Sequence, residues 1–241
     1  MENAILYFHQ GWTDIFNCMS LINYHMSKYN ILYLLIRSDS KNIIDYYVKN
    51  KKNIRPIYVN KNILDNTNVI TYLKNNFNIE SENILFHGNH DRYRNDKYKD
   101  VFCSRNDFFV NAFYTCYEIN KNIRHIMFEF ERNRELENRT YIDFINKNGD
   151  KYILSHNIHE IINNNKYALI YIDNITNIFF DYIKILEHSI EIHLLDSVWG
   201  IFVYLLDRKY RLFKDKKIYI YPKRNYTEMF DCSELNNWIK K

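Results

Sequence analysis

Asp196 and Ser197 stand between an apolar, strand-like run over 190–195 and an amphipathic stretch over 198–206. A polar pair where a strand hands over to a helix puts a hydroxyl and backbone N–H groups at a helix N-terminus, an arrangement that binds phosphate. A second junction of this type lies in the segment HQGWTD, where the strand-like run Ala4–Phe8 leads into His9, Gly11 and Asp14. Beyond it Ile15, Met19, Ile22 and Met26 recur every three or four residues, the spacing of one helix face. A carboxylate and an imidazole, both able to take a proton from a hydroxyl, thus flank the start of that helix. Thr13 or Asp14 in this place also reads as a plain helix N-cap.

Groups of this kind need strands that deliver them to one edge of a sheet. Periodicity predicts strand 4–9, helix 13–28, strand 30–37, helix 41–50, strand 55–59, helix 66–76 and strand 83–87, the order of a parallel, doubly wound sheet. Residues 89–99 read as a polar turn, 107–117 as a helix, and 132–147 as a charged helix bridging two halves. After Gly149 and Asp150 the pattern restarts with strands 152–155 and 167–172, helix 175–187, strand 190–195, helix 197–207 and strand 218–221. A last helix is expected over 226–238, packing back across the first half. The expected fold class is α/β, with two small Rossmann-like domains, 1–130 and 131–241, facing each other across a cleft.

Within that frame His156 follows the first strand of the second half, and ligands of open α/β sheets bind at the carboxyl edge. Asn157 and His159 share its loop. His193 alternates with apolar neighbours along its strand, so it reads equally as a ligand contact and as a half-buried strand histidine. Arg124, Arg132 and Arg134 have the fork geometry that clamps phosphates. Their neighbours Glu129, Glu131, Glu135 and Glu137 favour the plainer reading of a solvated helix with ion pairs.

The two α/β halves with these junctions resemble the GT-B superfamily of nucleotide-sugar glycosyltransferases. HQGWTD is similar to the Gly-x-Gly-Asp turn of the heptosyltransferase-like branch, with Thr13 in place of the second glycine, a change that narrows the approach to the turn. EIHLLDSVWGIFVYLLDRKY resembles the donor-binding strand, turn and helix of the second domain. The resemblance implies transfer of a sugar from a nucleotide diphosphate sugar to a hydroxyl acceptor, with no metal or other cofactor. It implies Asp14 as general base, with His9 the second choice. On the donor side it places His156, Glu191, His193, Asp196 and Ser197; on the acceptor side it places Gly11, His87, His90 and Asp91. A non-catalytic nucleotide- or carbohydrate-binding module on the same fold is the alternative.

His87-Gly88-Asn89-His90-Asp91 contains GNHD, which resembles one block of the calcineurin-like metallophosphoesterases. A two-metal site draws ligands from several loops, and the family's other blocks are missing: no Asp-x-His follows the first strand, and Gly149-Asp150 comes after GNHD. Gly88 beside Asn and Asp also suits a tight turn after a strand. No P-loop, dinucleotide fingerprint or hydrolase elbow is present, and no Asp-x-Asp.

Composition narrows the classes further. A chain of 241 residues with 46% hydrophobic content buries a sizeable core. The net charge of +4, from 33 basic and 29 acidic residues interspersed, argues against nucleic acid as the main partner. No apolar run approaches the roughly 20 residues of a membrane span, and the start MENAILYFHQ lacks the marks of a secretory signal. A cytoplasmic protein with reduced thiols is expected, since Cys18, Cys103, Cys116 and Cys232 form no CxxC pair.

Overall fold

The first strand, β1 (Ala4–Phe8), is apolar but for the Tyr7 hydroxyl, and all five of its residues are buried. That is the signature of a central parallel strand covered on both faces. In the structure, a computed structural model, the described residues are 2–8, 11–60, 69–77, 83–87, 113–114, 117–156, 158, 166–172, 179–222, 230 and 235–241. They divide into two compact units, Met1–Phe130 and Glu131–Lys241.

In the first unit β2 (Leu32–Arg37), β3 (Ile54–Val59) and β4 (Ile84–His87) join β1 in the order β3-β2-β1-β4, every pair parallel. Pro56 lies on β3, an edge strand, where a missing N–H is tolerated. The helices are α1 (Trp12–Met26), α2 (Lys41–Val48), α3 (Val69–Phe77) and the single turn α4 (Ile123–Ile126). One sheet face buries Ile5, Tyr7, Leu35, Val59 and Ile84 with Leu73 of α3. The alternate residues Leu6, Phe8, Leu34 and Ile36 are buried on the other face. Buried polar groups pin the helices: Ser20 Oγ donates to Arg124 O at 2.6 Å, and Asn23 Nδ2 donates to Met127 O at 2.6 Å and to the Tyr47 hydroxyl at 2.8 Å.

The second unit opens with α5 (Arg134–Asn148), capped at its start by Asn133, whose side chain accepts from Leu136 N at 3.1 Å. It stops at Gly149, whose φ of 83° is a conformation that glycine adopts without strain. Then come β5 (Tyr152–Ser155), β6 (Ala168–Tyr171), a 3-10 turn Phe179–Tyr182 running into α6 (Ile183–His188), β7 (Glu191–Leu195), α7 (Val198–Tyr210), β8 (Lys217–Tyr221) and β9 (Trp238–Lys240). The five strands are parallel in the order β6-β5-β7-β8-β9.

The end of the chain departs from expectation. A helix over 226–238 predicts that the tail leaves the second half, whereas Trp238–Lys240 is a strand paired with β8, and Phe230 and residues 235–237 are not helical. The cause is a buried carboxylate. Asp207 of α7, 1% exposed, accepts from Trp238 Nε1 at 2.7 Å and from Phe213 N at 3.0 Å, and the Trp238 ring packs on Tyr204 and Phe230. Three strand residues are too few to carry a visible alternation. The helix expected over 175–187 is represented among the described residues by the 3-10 turn and the six residues of α6.

Candidate functional site

Both sheets reverse direction once, and the carboxyl ends of the strands at such a reversal form the usual ligand crevice of open α/β sheets. In the first sheet the chain winds β1, β2, β3 outward and returns to β4 on the other side of β1. In the second it places β6 on one side of β5 and β7, β8 and β9 on the other. The first reversal therefore lies at β1 and β4, the second at β5 and β7.

At the end of β7 the chain turns sharply: Ser197 N donates to Leu195 O at 2.8 Å, and Ser197 becomes the N-cap of α7 in extended backbone. Its hydroxyl does not cap the helix. Instead Ser197 Oγ lies 2.9 Å from Nδ1 of His156, the residue that follows β5. Two strands adjacent at the reversal thus deliver an imidazole and a hydroxyl to one point, beside the first-turn N–H groups that no intrahelical carbonyl reaches. Gly200 explains how the helix comes so close. A Cβ there would stand 2.5 Å from Leu195 O and 3.1 Å from Phe230 Cζ, so only glycine lets the first turn of α7 press on the end of β7. Sequence reading passed Gly200 by, although a glycine three residues into a helix after a strand is the available signal. Asp196, 7% exposed, lies in the turn between Leu195 and Ser197.

Glu191 and His193 form a separate group. They lie on one face of β7, with His193 Nε2 3.4 Å from Glu191 Oε2 and Nδ1 3.1 Å from the Tyr221 hydroxyl of β8. The five donor-side residues expected from sequence therefore fall into two sets, and Tyr221, a member of the second, escaped sequence reading. Its signal is the alternation in KIYIY, which places Tyr219 and Tyr221 on one face.

In the first unit Gly11 is the N-cap of α1 and Asp14 lies in its first turn, where an acid complements the helix dipole. The carboxylate folds back over the glycine: a Cβ on Gly11 would stand 2.9 Å from Asp14 Oδ2. Neither Thr13 nor Asp14 is the N-cap. His9, His90, Asp91 and the whole GNHD segment lie outside the described residues, as do Asn157 and His159. Among the described residues no three His, Cys, Asp or Glu side chains cluster as metal ligands.

His87 is packed inside. It is 1% exposed, in register with Phe8, stacked on Tyr117, and 2.9 Å from Nε2 of His25 through its own Nε2. Its Nδ1 lies 2.5 Å from Phe113 O, and a carbonyl only accepts, so Nδ1 carries the proton and Nε2 accepts from His25. Burial, joined by the charges of His87 and Lys28, lowers His25 to about 2, and burial lowers His87 to about 4. Both rings are thus neutral in the folded protein, against an ordinary value of 6.5. Folded values below unfolded ones mean that this stability is complete above pH 6.5 and is lost as pH falls from there toward 4. Each histidine costs about 1.4 kcal/mol per pH unit. We expect the denaturant midpoint of the first unit to drop between pH 6.5 and 4.5, and His25→Gln to show about half the slope; a flat profile contradicts the neutral pair.

Arg132 and Arg134 converge on the same two carboxylates, Glu137 and Glu187. Arg124 is 7% exposed and its carbonyl accepts from Ser20. Arg134 is an exposed side chain on α5, and Arg132 bonds Glu137 and Glu187.

No family model matches the sequence, and no curated protein matches it either. Among solved structures, a glycosyl transferase of family 9 from Veillonella parvula DSM 2008 superposes with a TM-score of 0.61, covering 100% of this chain and 86% of that one at 7% identity. The two share a fold. The α/β architecture expected from the sequence is therefore present, with two parallel sheets. No helix among the described residues is long and apolar enough to cross a membrane.

Proposed function

We propose that the protein is a glycosyltransferase that moves a sugar from a nucleotide diphosphate sugar to a hydroxyl acceptor without a metal. The observation that carries the reading is the pairing of Ser197 with His156 at the reversal of the second sheet, beside the N-terminus of the 13-residue helix α7. The shared fold with a family 9 glycosyl transferase supports it at the level of architecture.

Each residue has a role. The first-turn N–H groups of α7 and the Ser197 hydroxyl hold the diphosphate, and as the bond from the anomeric carbon to the diphosphate oxygen breaks, that oxygen keeps the electron pair. His156 orients Ser197 and thereby keeps its hydroxyl off the helix end. Asp14 takes the acceptor's proton while the acceptor oxygen forms its bond to the anomeric carbon. Gly11 leaves room for the carboxylate.

The test is release of nucleoside diphosphate from a panel of UDP-, GDP-, dTDP- and ADP-sugars, in chelator, with water or simple glycosides as acceptors. Turnover of one nucleotide class in chelator is expected. Binding of that class with no turnover on any acceptor would favour a non-catalytic module instead.

A further inference from the structure

The second sheet carries a carboxylate, an imidazole and a phenol in series on one face. His193 is in register with Tyr219 on β8 and with Ser155 on β5, and Tyr221 is in register with Leu195, the last residue of β7. The His193 ring lies parallel to Tyr219, with centroids 4.4 Å apart at 19°, and to Tyr221, at 5.9 Å and 20°. Its two nitrogens are both engaged, Nε2 with Glu191 Oε2 at 3.4 Å and Nδ1 with the Tyr221 hydroxyl at 3.1 Å.

These contacts fix the direction of every proton. A carboxylate only accepts, so Nε2 carries the proton of the neutral ring and Nδ1 is left as an acceptor. Tyr221 must then donate its O–H inward to Nδ1. What remains outward on Tyr221 is a pair of oxygen lone pairs. Such an oxygen matches a ligand hydroxyl, which donates, and does not match a phosphate oxygen, which cannot.

The ring's charge state agrees. Burial lowers the proton affinity of His193, Lys241 adds to the effect and Glu191 opposes it, and the net direction is below the ordinary value. Besides these, the groups around the ring are Tyr219, Tyr221 and Ser155, with Lys217 opposite Glu191 in the register. Burial with neighbouring Tyr219 and Glu191 holds the Tyr221 phenol above its ordinary value, so it keeps its proton at pH 7.

We propose that Tyr221 contacts the ligand, accepting a hydrogen bond from a hydroxyl of a sugar ring attached to the diphosphate, and that His193 and Glu191 are its positioning residues. The inference rests on the reading of α7 and Ser197 as the diphosphate site, one strand away from the end of β8. The hydroxyl belongs either to the nucleoside ribose or to the transferred sugar, and the two sources are separable.

The experiment is calorimetric titration of the wild type and Tyr221→Phe with UDP, GDP, CDP and ADP, with their 2′,3′-dideoxy forms, and with the matching nucleotide sugars. Tyr221→Phe is expected to weaken binding roughly 5- to 10-fold, the effect of one lost neutral hydrogen bond. If the ribose is read, the loss occurs with the ribonucleotide and vanishes with the dideoxy form. If the transferred sugar is read, it occurs only with the nucleotide sugar. A pH series adds a readout that a merely structural role would not move. Protonation of His193 reverses its bond to Tyr221 and turns the Tyr221 O–H outward as a donor, so wild-type affinity should change in acid, below the ordinary histidine range, beyond the phosphate's own titration, which is common to both proteins. That limb should be absent in Tyr221→Phe and should move to lower pH in Glu191→Ala, because Glu191 raises the His193 value. Equal affinities of both proteins for every ligand, nucleotide sugars included, or an equal loss with the dideoxy forms and the plain ribonucleotides, overturns the inference alone. Failure of every nucleotide to bind the wild type overturns the diphosphate reading and this one with it.

Discussion

Asp14→Asn is expected to lower sugar transfer by roughly 10²- to 10⁴-fold while leaving the thermal midpoint and donor affinity unchanged. Asparagine has nearly the shape of aspartate, and its side-chain oxygen can lie over Gly11 as the carboxylate does, where Oδ2 would be 2.9 Å from a Cβ. What it lacks is the ability to accept the acceptor's proton. A steady-state assay at saturating donor measures the loss. Gly11→Ala provides the geometric control: its Cβ forces the intact carboxylate to move, and a displacement of about 1 Å in a reacting group can cost on the order of 100-fold. Both variants failing in rate with unchanged donor binding would assign the pair to the chemical step. Asp14→Asn within threefold of wild type would remove Asp14 from that role and leave it as a first-turn acid of α1.

Arg132→Met is expected to destabilise the second unit by about 3–5 kcal/mol, the cost of breaking a buried pair, since the cation that remains, Arg134, is exposed and reaches Glu137 and Glu187 only at 3.9 and 4.0 Å. Glu137 has a side chain only 1% exposed and receives Arg132 Nε at 2.8 Å and a second guanidinium nitrogen. The same guanidinium bonds both oxygens of Glu187, at 2.6 and 2.9 Å, and so ties the first turn of α5 to the end of α6. Asp181 sits close by, its carboxyl raised to about 6 by burial and then by the Glu137 charge, with Arg139 opposing the shift. Denaturant unfolding followed through Trp199, which is buried in this unit, gives the change in stability. Replacing Arg132, Glu137 and Glu187 together by apolar residues of similar size should recover most of the loss. A loss below about 1 kcal/mol for Arg132→Met would mean that water reaches the pair.

The sequence showed the strands and junctions better than the contacts that join them. β1 and β7 were legible as short, nearly continuous apolar runs and α1 by the three- and four-residue spacing of Ile15, Met19, Ile22 and Met26, with Gly11 and Asp14 at one junction and Asp196 and Ser197 at the other. The pairing of His156 with Ser197 spans 41 positions, and nothing local in either segment announces it. Glu187 meets Arg132 across 55 positions, so the sequence pointed to the pairs within the helix, of which Arg134 with Glu137 at 3.9 Å is one, and not to the link that reaches α6. His87 looked like a loop ligand because GNHD follows it, yet the register with Phe8 turns its ring toward His25. β9 was missed because three residues carry no period and because the group that holds it, Asp207, belongs to a helix 31 positions earlier.

The measurement that tests the central claim most directly is a thermal-shift panel of UDP-, GDP-, dTDP- and ADP-sugars, run with and without EDTA. A ligand at about 100 times its dissociation constant adds roughly 2.7 kcal/mol, or on the order of 5–10 °C for a chain of this size. The account predicts a shift of that order for one nucleotide class, unchanged by EDTA and abolished by Ser197→Pro, which removes both the hydroxyl and an N–H of the turn. No shift with any nucleotide, together with stabilisation by Mn²⁺ or Zn²⁺ alone, would contradict it.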